Sequence, residues 1–140
     1  MTKSTFITLA LITGMSVSYV AAQKPAPALR VTIDVKPGDN PTSLEPKREG
    51  MVPIAMLSSK EFDATAVDLT SVRGGATGTE GSMFRSMKED VDHDGDVDLI
   101  TLFRVADLAL TCKATGITIK GKTAQGRDFE GTETVIMSGC

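Results

Sequence analysis

Five aspartates alternate with other residues along one short stretch: Asp90, Asp92, Asp94, Asp96 and Asp98, with Gly95 after the third. With Glu89 they place six of the chain's 18 acidic residues in ten consecutive positions. Carboxylates at this density repel one another unless a cation or water separates them. The pattern Asp-x-Asp-x-Asp-Gly-x-x-Asp suits a hard divalent cation. Calcium takes six to eight oxygens at about 2.3–2.6 Å, which alternate side chains of a curled loop can supply, and glycine allows the sharp turn. The expected ligands are Asp90, Asp92, Asp94 and Asp98, with Asp96 giving its backbone carbonyl and its side chain outside the coordination sphere. Gly95 fixes this frame, because a loop starting at Asp92 would put Val97 where the glycine belongs.

Magnesium is an alternative, though it usually takes fewer protein oxygens. Zinc is poorly served by one histidine and two cysteines. His93 falls at a variable, outward-facing loop position and is read as exposed. The plainest rival is a solvated hairpin turn at Asp94-Gly95. One Asp-Gly would suffice for that turn and leave four aspartates without purpose, so calcium is the preferred reading.

A complete EF-hand would carry glutamate twelve residues into the loop and continue as a helix; here Thr101 stands there. Residues 99–105, Leu-Ile-Thr-Leu-Phe-Arg-Val, are β-branched and aromatic without helical periodicity, predicting a central strand covered on both faces. Residues 83–89 lead into the loop, so the two segments are expected to form a hairpin that the acidic loop connects.

Around this hairpin the chain reads as short strands. Leu29, Val31, Ile33 and Val35 alternate with polar residues, a half-buried strand. Lys-Pro-Gly-Asp-Asn-Pro at 36–41 is a turn, and 42–50 reads as irregular. Residues 51–57 form a second strand, with Pro53 suggesting an edge or bulge. Phe62, Ala66 and Leu69 fit a helical turn, although Asp63 and Asp68 equally suit a loop. Residues 67–73 read as a third strand ended by Gly74-Gly75, and 74–82, with four glycines, as a long flexible loop. Segments 116–123 and 132–137 complete six to eight strands. The expected fold is all-β, an antiparallel β-sandwich.

Lys3, the apolar residues 6–20 and Val20-Ala21-Ala22 have the order of a secretory signal peptide, the apolar run being short for a span of about 20 residues. The expected organisation is a signal peptide over 1–22, a Pro-rich linker over 23–28 and one domain over 29–140. No later segment is apolar enough to cross a membrane, so the product is expected to be secreted or periplasmic. Cleavage removes one lysine and leaves 18 acids against 14 bases, or −4. That balance argues against nucleic acid as a partner. Subtracting the six clustered acids leaves 12 against 14, so the negative charge is local.

Cys112 and Cys140 are the two cysteines. In an exported protein an even count favours a disulfide, here closing a loop worth about 3 kcal/mol in the chain-entropy model. Free thiols, or a nucleophile at Cys112, are the rival readings. The second lacks a base, because His93 is the only histidine.

The ordered motifs Ile-Asp-Val-Lys-Pro-Gly at 33–38, Val-Pro-Ile-Ala-Met-Leu at 52–57, Phe62-Asp63, Val72-Arg73, the Asp-x-Asp-x-Asp-Gly loop, Phe103-Arg104 and the two cysteines resemble a domain of exported bacterial proteins, often multidomain ones. The resemblance covers residues 30–140 and implies a β-rich calcium-binding domain. Leu102 departs from it, since the family has histidine before Phe-Arg. The loop itself is similar to the shortened calcium loops of integrin-type propeller repeats, closed by an aspartate at the ninth position. Dockerin loops share the first half but continue into a helix.

Two function classes follow. One is a non-catalytic binding or structural module whose calcium stiffens a hairpin and whose ligand is an extracellular or periplasmic protein or carbohydrate. The loop 74–82 and the acidic loop are the candidate surfaces. Tryptophan is absent, and Tyr19 and Phe6 fall in the leader, which disfavours a stacking platform for sugars but leaves loop-mediated sugar binding open. The other class is a secreted hydrolase using two of Glu61, Asp63, Glu80 and Glu89, although no spacing singles out a pair. Arg73, Arg85 and Arg104 are expected to pair with acids such as Glu80 or to cover sheet faces. A basic ligand cluster is the alternative.

Overall fold

A computed structural model describes Thr13, Gly14 and residues 26–140. The expected leader otherwise lies outside the described residues, as do residues 23–25 of the linker.

The fold is an all-β sandwich, and the alternation of apolar residues explains its layers. One sheet has four strands in the order β2-β4-β8-β7: β2 is Thr32–Val35, β4 Met51–Leu57, β7 Arg85–Glu89 and β8 Asp98–Arg104. The other has five in the order β1-β10-β9-β5-β6: β1 is Leu29–Arg30, β5 Arg73–Gly75, β6 Gly81–Ser82, β9 Gly116–Lys122 and β10 Asp128–Thr134. A parallel pair, β3 (Ser43–Leu44) with β11 (Ile136–Met137), lies beside them. Ile33, Val35, Val52, Ile54, Met56, Leu99 and Phe103 of the first sheet pack with Ile117, Ile119 and Phe129 of the second in one buried core. Thr101 lies in this core without penalty because its hydroxyl donates to the Ile54 carbonyl at 2.7 Å.

Most pairings are antiparallel, but β1 runs parallel to β10. The alternating segment 29–35 is therefore divided: its first residues join one sheet and its last join the other. Gly131 permits this crossing, since a Cβ there would lie 2.6 Å from the Val31 carbonyl oxygen. Strand β8 is central, between β4 and β7, although Ile100 and Leu102 on its outer face are only partly covered.

Three local expectations are overturned. Pro53 is not at an edge, for β4 pairs with both β2 and β8. Its carbonyl accepts from Lys36 N–H at 2.8 Å, and on that side β2 has just ended, so little ladder is lost by the missing N–H. Residues 67–73 form no single strand. Two 3-10 turns, Ala64–Ala66 and Leu69–Ser71, are capped by Asp63 and Asp68, whose carboxylates accept from Thr65 and Thr70 N–H. The strand β5 starts only at Arg73 and includes both glycines. Gly74 fits because a Cβ there would meet Ile119 Cδ1 at 2.7 Å. Finally, 74–82 is a tied hairpin rather than a loose loop. Glu80 accepts from the N–H groups of Thr77, Gly78 and Thr79 and from the Thr77 hydroxyl.

The disulfide joins Cys112 and Cys140, leaving no free cysteine among the described residues. No helix among those residues is long and apolar enough to cross a membrane.

Candidate metal centre

The acidic loop connects β7 to β8, and the register of that hairpin places its ends. Glu89 stands opposite Asp98, and on the other side Met56 of β4 stands opposite Leu99. The second pairing brings Ser58, just past β4, against the end of the loop. Ser58 N–H donates to Asp98 Oδ1 at 2.8 Å, and the Ser58 hydroxyl donates to the Val97 carbonyl at 2.7 Å. That hydroxyl also accepts from Ala64 N–H at 3.0 Å. Val91 N–H donates to Asp98 Oδ2 at 2.8 Å. Asp98 is therefore completely buried, with each oxygen held by a backbone N–H and retaining a lone pair.

Asp90 organises the loop itself. Its two oxygens accept from Asp94 N–H at 3.2 Å and Gly95 N–H at 3.0 Å. These two amides turn inward because His93 and Gly95 both have positive φ, 57° and 94°. Glycine takes this conformation freely and histidine is among the residues that tolerate it. His93 is exposed.

Asp90, Asp92 and Asp98 each bring a carboxylate oxygen within 4.8 Å of the others. Two oxygens on one calcium ion can be no farther apart than about 5 Å, twice a bond of about 2.5 Å. The three carboxylates therefore fit a single ion of calcium's size, and an all-oxygen donor set suits a hard cation. The cluster could hold a metal ion. Asp92 is held above the ordinary aspartate range, first by desolvation, then by hydrogen bonding with Asp94 and by the charges of Asp98 and Asp94. The charges of Asp98 and Asp94, which contribute to this shift after desolvation and hydrogen bonding, would favour a cation beside them.

Of the five expected residues, the structure groups three. Asp94, also an expected ligand, is not in that group. Its Oδ1 accepts from Asp96 N–H at 2.9 Å, which closes the turn, and it stands beside the cluster rather than within it. The Asp96 side chain is exposed. Ser58 is the supporting residue that the loop's own sequence does not reveal. It lies 40 residues from Asp98, and a serine after an apolar strand carries no metal signal.

The other candidates are dispersed. The five residues of β7 separate the 74–82 hairpin from the acidic loop by about 16 Å, so the two do not make one surface. Glu80 and Asp63 serve backbone N–H groups. Burial pushes the Glu80 carboxyl up, but hydrogen bonds from the Thr77 hydroxyl and from the Thr77, Thr79 and Glu80 N–H groups outweigh it, holding it at about 2. The expected arginine–Glu80 pairing does not occur. Arg73 donates to the Thr70 and Val72 carbonyls at 3.0 Å, and Arg104 stacks over the Phe84 ring at 4.8 Å. Comparison with protein-family models, curated proteins and solved structures finds no match.

Proposed function

We propose that this chain is an exported, non-catalytic calcium-binding β-sandwich module with a structural or ligand-binding role. Calcium held by Asp90, Asp92 and Asp98, with the Asp96 carbonyl and water completing the shell, stiffens the β7–β8 hairpin. The observation that carries this reading is the buried Asp98 carboxylate, fixed by Ser58 and Val91 N–H and grouped with two loop carboxylates. A turn that only needed to be soluble would not require a buried acid at its base. The disulfide and the leader-like N-terminus support a location outside the cytoplasm.

The test is a melting curve with calcium and with excess chelator, together with metal analysis of the purified protein. Calcium should raise the melting temperature, and Asp90→Ala with Asp92→Ala should abolish that rise. Equal melting temperatures in wild type, with no bound metal, would refute the proposal.

A further inference from the structure

The strand that enters the acidic loop also forms the longest open sheet edge among the described residues. Among the described residues, strand β7 pairs only with β8. The opposite edge of the same sheet, β2, is protected, because the Glu133 carboxylate accepts from Val35 N–H and the chain crosses away at Val31. The other sheet ends in β1 and β6, of two residues each. An open edge of five residues presents unpaired backbone N–H and C=O groups to any strand of matching character.

The side chains of β7 specify which strand matches. Arg85, Met87 and Glu89 alternate onto one face, opposite Leu102, Ile100 and Asp98 of β8. All three are exposed, Met87 by 44%. The ion pairs of the described residues, Arg30–Glu130, Lys36–Asp39 and Lys122–Asp128, lie elsewhere, so Arg85 and Glu89 form no ion pair among the described residues. We propose that a second copy of this chain pairs antiparallel along β7, through a two-fold axis at Met87, joining two four-stranded sheets into one of eight.

Symmetry makes the register testable. A two-fold axis normal to the sheet must place one residue opposite itself. Centring on Arg85, Lys88 or Glu89 would oppose identical charges, and centring on Ser86 would leave Arg85 opposite Met87. Only the axis at Met87 sets Arg85 opposite Glu89 of the other copy, twice, on either side of a Met87–Met87 contact. Opposite charges facing across strands are favourable, and like charges are not. The isologous arrangement also closes on itself, since the remaining outer edges are the two protected β2 strands.

A five-residue edge makes a small interface, so the dimer is weak, with a dissociation constant on the order of 10–500 µM. Sedimentation equilibrium from about 10 µM to about 1 mM, in calcium, should show the mass rising from one chain toward two. Arg85→Glu should weaken the dimer at least about tenfold, and Arg85→Glu combined with Glu89→Arg should restore it to within about threefold. Facing Cβ atoms on paired strands come close enough for a disulfide. Mild oxidation should therefore cross-link Met87→Cys but not Ser86→Cys. Melting curves of each variant check that these exposed substitutions leave the fold intact. A single-chain mass at every concentration would overturn the proposal, and is the outcome for an edge that serves an extended peptide of another protein. Failure of the charge swap to rescue, or equal cross-linking of Ser86→Cys and Met87→Cys, would overturn the register.

Discussion

Replacing Asp98 by asparagine changes few atoms and asks whether the base of the acidic loop is held as described. The carboxylate is completely buried and accepts from Ser58 N–H and Val91 N–H, each at 2.8 Å. Asparagine has one acceptor oxygen, so one of these donors must face an NH2 group. A hydrogen bond to a charged acceptor contributes about 1.5–3 kcal/mol, and leaving its donor unpaired in the interior is costlier than losing an exposed contact. Removing the charge also relieves some repulsion within the loop, which offsets part of the loss. The expected net cost is about 2–3 kcal/mol, measured by urea unfolding in excess chelator so that no metal contributes. For a domain of this size that lowers the melting temperature by about 6–15 °C. Asp94→Asn is the control, because its single accepted bond from Asp96 N–H survives in an asparagine carbonyl. It should stay within about 0.5 kcal/mol of wild type. If Asp98→Asn in chelator is equally mild, the carboxylate is not the anchor of this hairpin and the reasoning fails.

Glu80 should confer acid sensitivity. Its carboxyl is held at about 2 in the folded state, against an ordinary glutamate value of 4.5, so the folded state holds fewer protons between those values. The contribution is complete above about pH 4.5 and is lost as pH falls toward 2. Solvent screening on this loop reduces it to about 1 kcal/mol. Glu80→Gln should flatten that part of a melting-temperature profile, and an unchanged slope would show that the Thr77–Thr79 cap is not formed. Gly131→Ala should cost about 2–3 kcal/mol, since its Cβ would press on the Val31 carbonyl at 2.6 Å, and a neutral result in urea unfolding would contradict the crossing between sheets. Cys112→Ser with Cys140→Ser should lower stability by about 3 kcal/mol for a separation of 28 residues. Thiol titration of the denatured, unreduced wild type should find no free cysteine, and two would refute the bridge.

The sequence shows those parts of the fold whose burial is one-sided and local. The second strand is legible to the residue as β4, Met51–Leu57, and the hairpin around the acidic loop is where the apolar exit segment places it. The strand β10 was half hidden because its inward positions are Phe129, Gly131 and Glu133, only one of them a large apolar side chain. Pro53 misleads because propensity describes a residue and not the length of its neighbour: β2 stops one residue short of needing the absent N–H. The four glycines of 74–82 suggest looseness, but one glutamate between them satisfies three backbone N–H groups and removes that freedom. At the candidate metal centre, alternation marks Asp90, Asp92 and Asp98, whose carboxylates the structure groups, but it marks Asp94 equally. What separates Asp94 is a local hydrogen bond, from Asp96 N–H to its Oδ1, which residue type and spacing do not show.

The division of labour in the loop determines what a bound cation could do. Asp90 and Asp92 belong to the loop and could approach a cation in a partly disordered hairpin. Asp98 belongs to the sheet, because it reaches its position only when β4 and β8 are in register and Ser58 is beside it. A complete site therefore exists only in the folded chain, and a cation bound there stabilises that state by mass action, about 2.7 kcal/mol at a hundredfold excess over its dissociation constant. The same coupling works in reverse. Any change that loosens the junction of β4 with the loop, such as Ser58→Ala, should weaken calcium binding without touching a ligand, whereas Asp94→Asn should weaken it less although it lies in the motif. Isothermal titration of the two variants separates the cases, and a larger loss for Asp94→Asn would show that the aspartate repeat, not the sheet register, sets the affinity.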